Sequence, residues 1–354
     1  RDLPLCLGQA GVAPNLAAVL RSQLETEKEA MQAAGFEVCT ASPDEFFDQP
    51  LDVVDICTPN YLHLEQCRRA LERGMAVYCE KPLAMSYEEA RLLADLAEKA
   101  GVINQVAFVM RYLPAVRQMK TLVEAGEIGE VLNFRGHMFH GGYLDPNRPM
   151  SWRLRHSQSG GGVFADLGSH LVDLAMYILG GVRAVRAQTH TFIPERPVSR
   201  GSPECERVDV DDWALCTLEL LSGATGVIEV TRLAAGASQE SGFEIYGSRG
   251  ALIYRENNPD SVFYYSLQKG EWLSGLGRLP APSGERPIEQ IYPTSKYSQG
   301  MMTNAHLAAE ADLLLNIAEN KPSTNNFRSA ARVQQVVEAV YLSAKAGGEY
   351  QRLE

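Results

Sequence analysis

The chain has 354 residues, of which 45% are hydrophobic, and a net charge of -11. That composition suits two domains with their own cores and excludes a nucleic-acid footprint, which needs a basic patch. No apolar run approaches the ~20 residues of a membrane span. The seven cysteines, without CxxC spacing or a Cys/His cluster, fit reduced thiols in a cytoplasmic setting.

The expected elements begin with a strand over 16–20, a charged helix over 25–34 closed by Gly35, and a strand over 36–39. A short helix follows Ser42-Pro43, then a strand over 53–57 and a helix over 61–73 ended by Gly74. The apolar run 75–79 reads as a buried strand. Ser86 caps a helix running to 100, with Glu88 and Glu89 in its first turn and Gly101 at its end. A strand over 102–109 completes this part. Such alternation predicts a doubly wound parallel sheet of Rossmann type, residues 1–108.

The remainder, 109–354, reads as an α+β domain built on a mostly antiparallel sheet. Strands are expected over 131–139, 182–192, 213–220, 224–231, 242–246 and 251–254, interrupted by one strong helix over 164–179. Residues 255–300 are rich in Gly, Pro and Ser, and two helices near 302–319 and 325–346 close the chain. A dinucleotide-binding domain should open with a strand, a GxGxxG turn and a helix. Gly8 and Gly11 leave no room for these, so residues 3–10 read as the back of that helix. The first strand and glycine turn are expected roughly a couple of dozen residues upstream.

Glu80-Lys81-Pro82 follows the 75–79 strand, at the edge of a parallel sheet where ligands bind. A second signal is Gly160-Gly161-Gly162 followed by Asp166, His170, Asp173 and Tyr177. On a helix these four make one polar stripe. The other residues there are apolar, so the helix is buried and its stripe must face partners or a wet cleft. Lys81, Asp166 and His170 together suit carbon–oxygen redox chemistry. A carboxylate-held His can take a hydroxyl proton near neutral pH, and a Lys ammonium can stabilise the developing alkoxide. A satisfied core His–Asp pair is the plain alternative. No metal site is expected: His137 and His140 are three apart but in a strand-like run. Arg21-Ser22 ends the 16–20 strand, where an Arg can neutralise the 2′-phosphate of NADP. That tilts the choice between NAD and NADP toward NADP.

These residues together resemble the glucose–fructose oxidoreductase/inositol dehydrogenase (Gfo/Idh/MocA) family from about residue 16 onward. The pieces are Thr58-Pro59-Asn60 with His63, Glu80-Lys81-Pro82, Arg111-Tyr112, Gly126-Glu127-Ile128-Gly129, the triple glycine with Asp166-x-Gly168-x-His170, Asp211-Asp212, and Tyr246-Gly247-Ser248-Arg249-Gly250. The resemblance implies catalysis by Lys81, Asp166 and His170, with Asp166 orienting His170. It implies cofactor contacts from Thr58, Pro59, Asn60, His63 and Glu80, and a cis Lys81–Pro82 bond. Arg111, Trp152 and Arg153 become candidate substrate contacts. The implied activity is NAD(P)-dependent oxidation or reduction of a sugar, cyclic polyol or derivative, in a homodimer or homotetramer built through the second domain's sheet, which the resemblance implies is large and open. A non-catalytic dinucleotide sensor and an NAD-dependent glycosidase remain open on the same residues.

Overall fold

The computed structural model describes residues 15–20, 24–238, 240–277 and 279–353. The readings of Gly8, Gly11, Arg21 and Ser22 lie outside them.

The first region is a set of short parallel strands with helices between. Strands β1 (Ala18–Leu20) and β2 (Val38–Thr40) pair in parallel, around helix α1 (Leu24–Ala34). Helix α2 (Pro43–Phe47) follows, with Ser42 accepting from the Glu45 N–H as its cap. Strands β3 (Val53–Ile56), β4 (Ala76–Cys79) and β5 (Asn104–Val106) form a second parallel group, crossed by α3 (His63–Glu72) and α4 (Tyr87–Ala100). Their near-continuous apolar character follows from burial on both faces: Val54, Ile56 and all of β4 are buried. Helix α4 starts at Ser86, which accepts from Glu89, and stops at left-handed Gly101.

The second region holds a nine-stranded sheet. In chain order its strands are β6 (Val131–Phe139), β7 (Val182–His190), β10 (Trp213–Leu220), β11 (Thr225–Thr231), β12 (Glu240–Gly247), β13 (Gly250–Arg255), β14 (Phe263–Ser266), β15 (Glu271–Leu273) and β16 (Gln351–Arg352). The spatial order is β15-β14-β13-β12-β6-β11-β10-β7-β16, and every pair is antiparallel except β6 with β11. A hairpin of β8 (Glu195–Pro197) and β9 (Cys205–Arg207) stands apart.

Four differences from expectation have physical reasons. Helix α5 (Pro114–Glu124) went unread: Pro114 starts it, and Ala115, Val116, Met119 and Leu122 bury one face. The 255–300 stretch supplies β14 and β15 at the sheet edge. The run over 164–179 is not one regular helix. It opens with a π-turn, Phe164–Gly168, closed by the Ser169 N–H on the Phe164 carbonyl, before α6 (Ser169–Leu179). Contrary to the expectation that no run approaches a membrane span, the run His156–Leu179 is long and apolar enough to pass for one, but it lies mostly buried within the protein.

Helices α7 (Met301–Glu319) and α8 (Phe327–Lys345) bind back onto the first region. The Asn325 side chain donates to the Val106 carbonyl at 2.8 Å, and Gln105 donates to the Ala309 carbonyl at 2.7 Å. One continuous core spans both regions, with a small satellite of Met150, Leu154, Val208 and Val210 under Tyr143.

Candidate active site

Strands β3 and β4 run parallel with Ile56 opposite Cys79, so Thr58-Pro59-Asn60 and Glu80-Lys81-Pro82 leave the sheet at the same edge. The Lys81–Pro82 bond is cis. His63 sits behind these turns with no exposed surface. Its Nδ1 lies 2.9 Å from the Pro82 carbonyl and its Nε2 lies 2.8 Å from the Thr58 carbonyl. Burial holds its pKa below the ordinary histidine value, against those two carbonyls. His63 therefore sits between the two turns, its one N–H donating to one of the two carbonyls, and it is fully buried behind the cleft wall rather than lining it.

The opposite wall is the turn before α6. Gly160 adopts φ 76°, and a Cβ there would meet the Met85 backbone at 2.9 Å. A Cβ on Gly162 would lie 2.3 Å from Asp211, so the triple glycine serves close packing. Asp211 accepts from the Gly162 and Phe164 N–H groups at 3.0 and 2.9 Å. The Tyr341 hydroxyl donates to Asp211 at 2.9 Å and accepts from Gly162 and Ala165. These bonds satisfy the backbone donors that open the turn and fix where Asp166 points.

Asp166 meets Lys81 across the cleft. Lys81 Nζ donates to Asp166 Oδ1 at 2.6 Å and to its carbonyl at 2.9 Å. Arg232, directly after β11, donates to Oδ2 at 2.9 Å. Burial works against an ionised Asp166, but Lys81 and then Arg232 outweigh it and hold the carboxyl well below the usual carboxylate range. Arg232 was not singled out from the sequence. A lone Arg at a strand end carries no signal there, and the register of β11 beside β6 brings it to the site.

His170 is buried one turn further on, with its ring edge-on to Phe108 at 6.0 Å. Its Nδ1 has no hydrogen-bond partner among the described residues. Burial first, and Lys81 second, push its pKa well below the ordinary value, so the imidazole is neutral. Asp166 Oδ1 and Oδ2 accept from Lys81 and Arg232, and no hydrogen bond links Asp166 to His170 among the described residues.

The polar stripe also divides. Asp173 accepts from Arg111, whose Nε lies 2.8 Å from Oδ2 while its Nη2 bonds the other oxygen. Tyr177 donates to Glu285 at 2.7 Å. Arg111 is corrected as a substrate contact. Its side chain is buried, its Nη1 bonds the Thr324 carbonyl, and its charge is matched inside the core. The π-turn carries Asp166 out of line with the α-helical residues that follow.

Between the walls lies a cleft of about 340 Å³, lined by Thr58, Pro59, Asn60, Glu80, Lys81 and Pro82 on one side. Trp152, Arg153, Ser159, Gly161, Asp166 and Arg232 line the other. Arg153 stacks over the Trp152 ring at 4.4 Å. Asn60 donates to the Ser159 carbonyl at 2.8 Å and ties the walls together. Cys57, at the end of the expected 53–57 strand, is exposed and lines the cleft too. His137 lies on β6 beside Glu240, at 3.9 Å. The cleft opens at the carboxyl edge of parallel strands, has a size ordinary for small ligands, and presents turn backbone and short polar side chains. The residues present fit the nicotinamide end of a dinucleotide.

A Rossmann-type sheet facing an open-sheet domain across such a cleft defines a two-domain oxidoreductase. Residues 6–108 match the model of an oxidoreductase family with an NAD-binding Rossmann fold, and residues 116–253 match the GFO/IDH/MocA C-terminal domain. Levoglucosan dehydrogenase of Pseudarthrobacter phenanthrenivorans is 35% identical over 73% of this chain and 70% of its own length. The scyllo-inositol 2-dehydrogenase (NAD(+)) of Bacillus subtilis is 27% identical over 87% of this chain and 84% of its own. A solved levoglucosan dehydrogenase, in complex with NADH and L-sorbose, superimposes with a TM-score of 0.91 at 30% identity, covering 100% of this chain and 93% of that one. The chain belongs to the Gfo/Idh/MocA family of oxidoreductases.

Proposed function

We propose that the protein oxidises a hydroxyl of a sugar, anhydrosugar or cyclic polyol, or runs the reverse reduction, with NAD as partner. The observation that carries this reading is the 2.6 Å Lys81–Asp166 pair spanning the cleft at the sheet edge. It is supported by relatives named as levoglucosan and scyllo-inositol dehydrogenases. The nicotinamide, when bound, supplies a hydride acceptor. The protein's residues do the rest. Asp166 holds the Lys81 ammonium in place, and Lys81 donates a hydrogen bond to the reacting oxygen and favours its alkoxide. His170, one turn beyond Asp166, accepts the hydroxyl proton. Trp152 and Arg153 supply a flat stacked wall for the substrate's ring face. Thr58, Pro59, Asn60 and Glu80 border the nicotinamide side.

The choice of NAD over NADP rests on relatives named with NAD or NADH. The opposing argument rests on Arg21, which lies outside the described residues. We assign the exposed face of the nine-stranded sheet to homodimer or homotetramer formation. Reduced-cofactor absorbance over a panel of anhydrosugars, hexoses and inositols, with NAD and NADP in parallel, tests the reading. Turnover with levoglucosan or an inositol is expected, and a folded Lys81→Ala protein that turns over normally sinks it.

A further inference from the structure

We propose that Arg232 is a positioning residue of the reaction centre. It takes one oxygen of Asp166 so that the other holds Lys81, and it gives the cluster two cations to one carboxylate. The inference rests on the dehydrogenase reading above and extends it to a residue outside the Lys81–Asp166–His170 set.

The geometry is that of a built site. The Arg232 side chain is 3% exposed, and its Nη2 reaches both Asp166 Oδ2 at 2.9 Å and the Gly162 carbonyl at 3.4 Å. Its guanidinium lies over the Tyr143 ring at 5.0 Å. Buried Arg196 holds the loop that carries Tyr143, donating to the Tyr143 and Asp145 carbonyls at 2.5 and 2.7 Å. Tyr143 thus packs on the rear of a guanidinium that is almost fully shielded from water, where charges act most strongly. Arg232 Nε and Nη1 have no hydrogen-bond partners among the described residues, so this cation is under-compensated and its field acts toward Asp166 and Lys81. The groups facing Asp166 are Lys81 from the end of β4, Arg232 from β11, His170 from α6 and His140 from the end of β6. Asp211 stands behind Gly162, with its charge spread over two backbone N–H groups and Tyr341. His306 approaches His170 from α7. An excess of positive charge beside the reacting oxygen favours alkoxide over alcohol. A planar guanidinium can stack on Tyr143 while its edge holds Asp166, a geometry that an ammonium does not reproduce.

The test compares Arg232→Met, Arg232→Lys, Asp166→Asn and the Asp166→Asn/Arg232→Met double variant, by pH profiles of oxidation with a substrate found for the wild type. Arg232→Met is expected to lower kcat ~10–100-fold and to change KM less than about threefold. Its pH midpoint for kcat/KM should move up by about one unit, and Arg232→Lys should return that midpoint toward wild type. The double variant should lie within about threefold of Asp166→Asn, because Arg232 acts through Asp166. An unmoved midpoint in active Arg232→Met, or fully multiplicative losses in the double variant, overturns the inference. If Arg232→Met does not fold, the double variant removes both charges of the pair, and its comparison with Asp166→Asn decides. A wild type that reduces neither cofactor with any sugar or polyol defeats the dehydrogenase reading and this inference with it. An active wild type with an unshifted Arg232→Met profile defeats this inference alone.

Discussion

Asp166 and Asp173 stand seven residues apart on one helical run, and each holds an arginine, yet they do different work. Asp173 is 1% exposed, and one Arg111 guanidinium takes both of its oxygens. Asp166 is 30% exposed and divides its oxygens between cations from two regions, Lys81 and Arg232. A carboxylate with one forked partner closes a core. A carboxylate shared between two walls, with one side open to a cleft, leaves a cation free to meet a substrate. Burial opposes the Arg111 charge and Asp173 more than offsets it, whereas burial pushes the Asp173 carboxyl up despite Arg111, so the pair is inaccessible and serves the core.

The sharpest way to break the contrast is on activity. Lys81→Ala should cost about 10³-fold in kcat with little change in melting temperature, read by steady-state kinetics beside calorimetry. Asp173→Ala should reverse the pattern. It leaves a buried Arg111 unpaired, at about 3–5 kcal/mol of stability, read by denaturant unfolding, while the kcat of the folded protein stays within about threefold. A pH titration sharpens it further. The folded pKa of Asp166 is depressed, so its contribution is complete above its unfolded value near 3.8 and is lost as pH falls from there toward the much lower folded value. His170 is depressed too: the unfolded chain binds its proton first, so stability declines as pH drops below about 6.5. Unfolding free energies measured from pH 7.5 to 4.5 should fall less steeply in His170→Gln, on the scale of about 1.4 kcal/mol per pKa unit. The smallest expected effect is at the link between walls. Asn60→Ala removes one hydrogen bond worth about 1 kcal/mol and should raise the KM for cofactor a few-fold.

The contrast also marks what could be read from the sequence. Lys81 and Asp166 were legible because each sits in a local pattern: a strand followed by a cis-proline turn, and a triple glycine before an apolar helix. The layout of both regions was legible from apolar periodicity and caps. Arg232 was not, because its role depends on which strand β11 pairs with, and a parallel neighbour whose paired residues lie 92 positions earlier (Thr225 opposite Asn133) leaves no local trace. Arg111 and His63 carried the right motif but the wrong inference. Their side chains turn inward, and the decision between core and cleft lies in partners, Asp173 for one and two carbonyls for the other. The division of the polar stripe could not be foreseen either, since counting by an α-helical period assumes the π-turn away.

That π-turn has a consequence for how the protein can change. A π-turn is an α-helix carrying one extra residue, so deleting a single residue within 164–168 would let the helix run on without interruption. The repaired helix would gain regular hydrogen bonds, and Asp166 would swing by about 100° around the axis, away from Lys81. Regularity of this helix and the Lys81–Asp166 contact across this cleft pull in opposite directions.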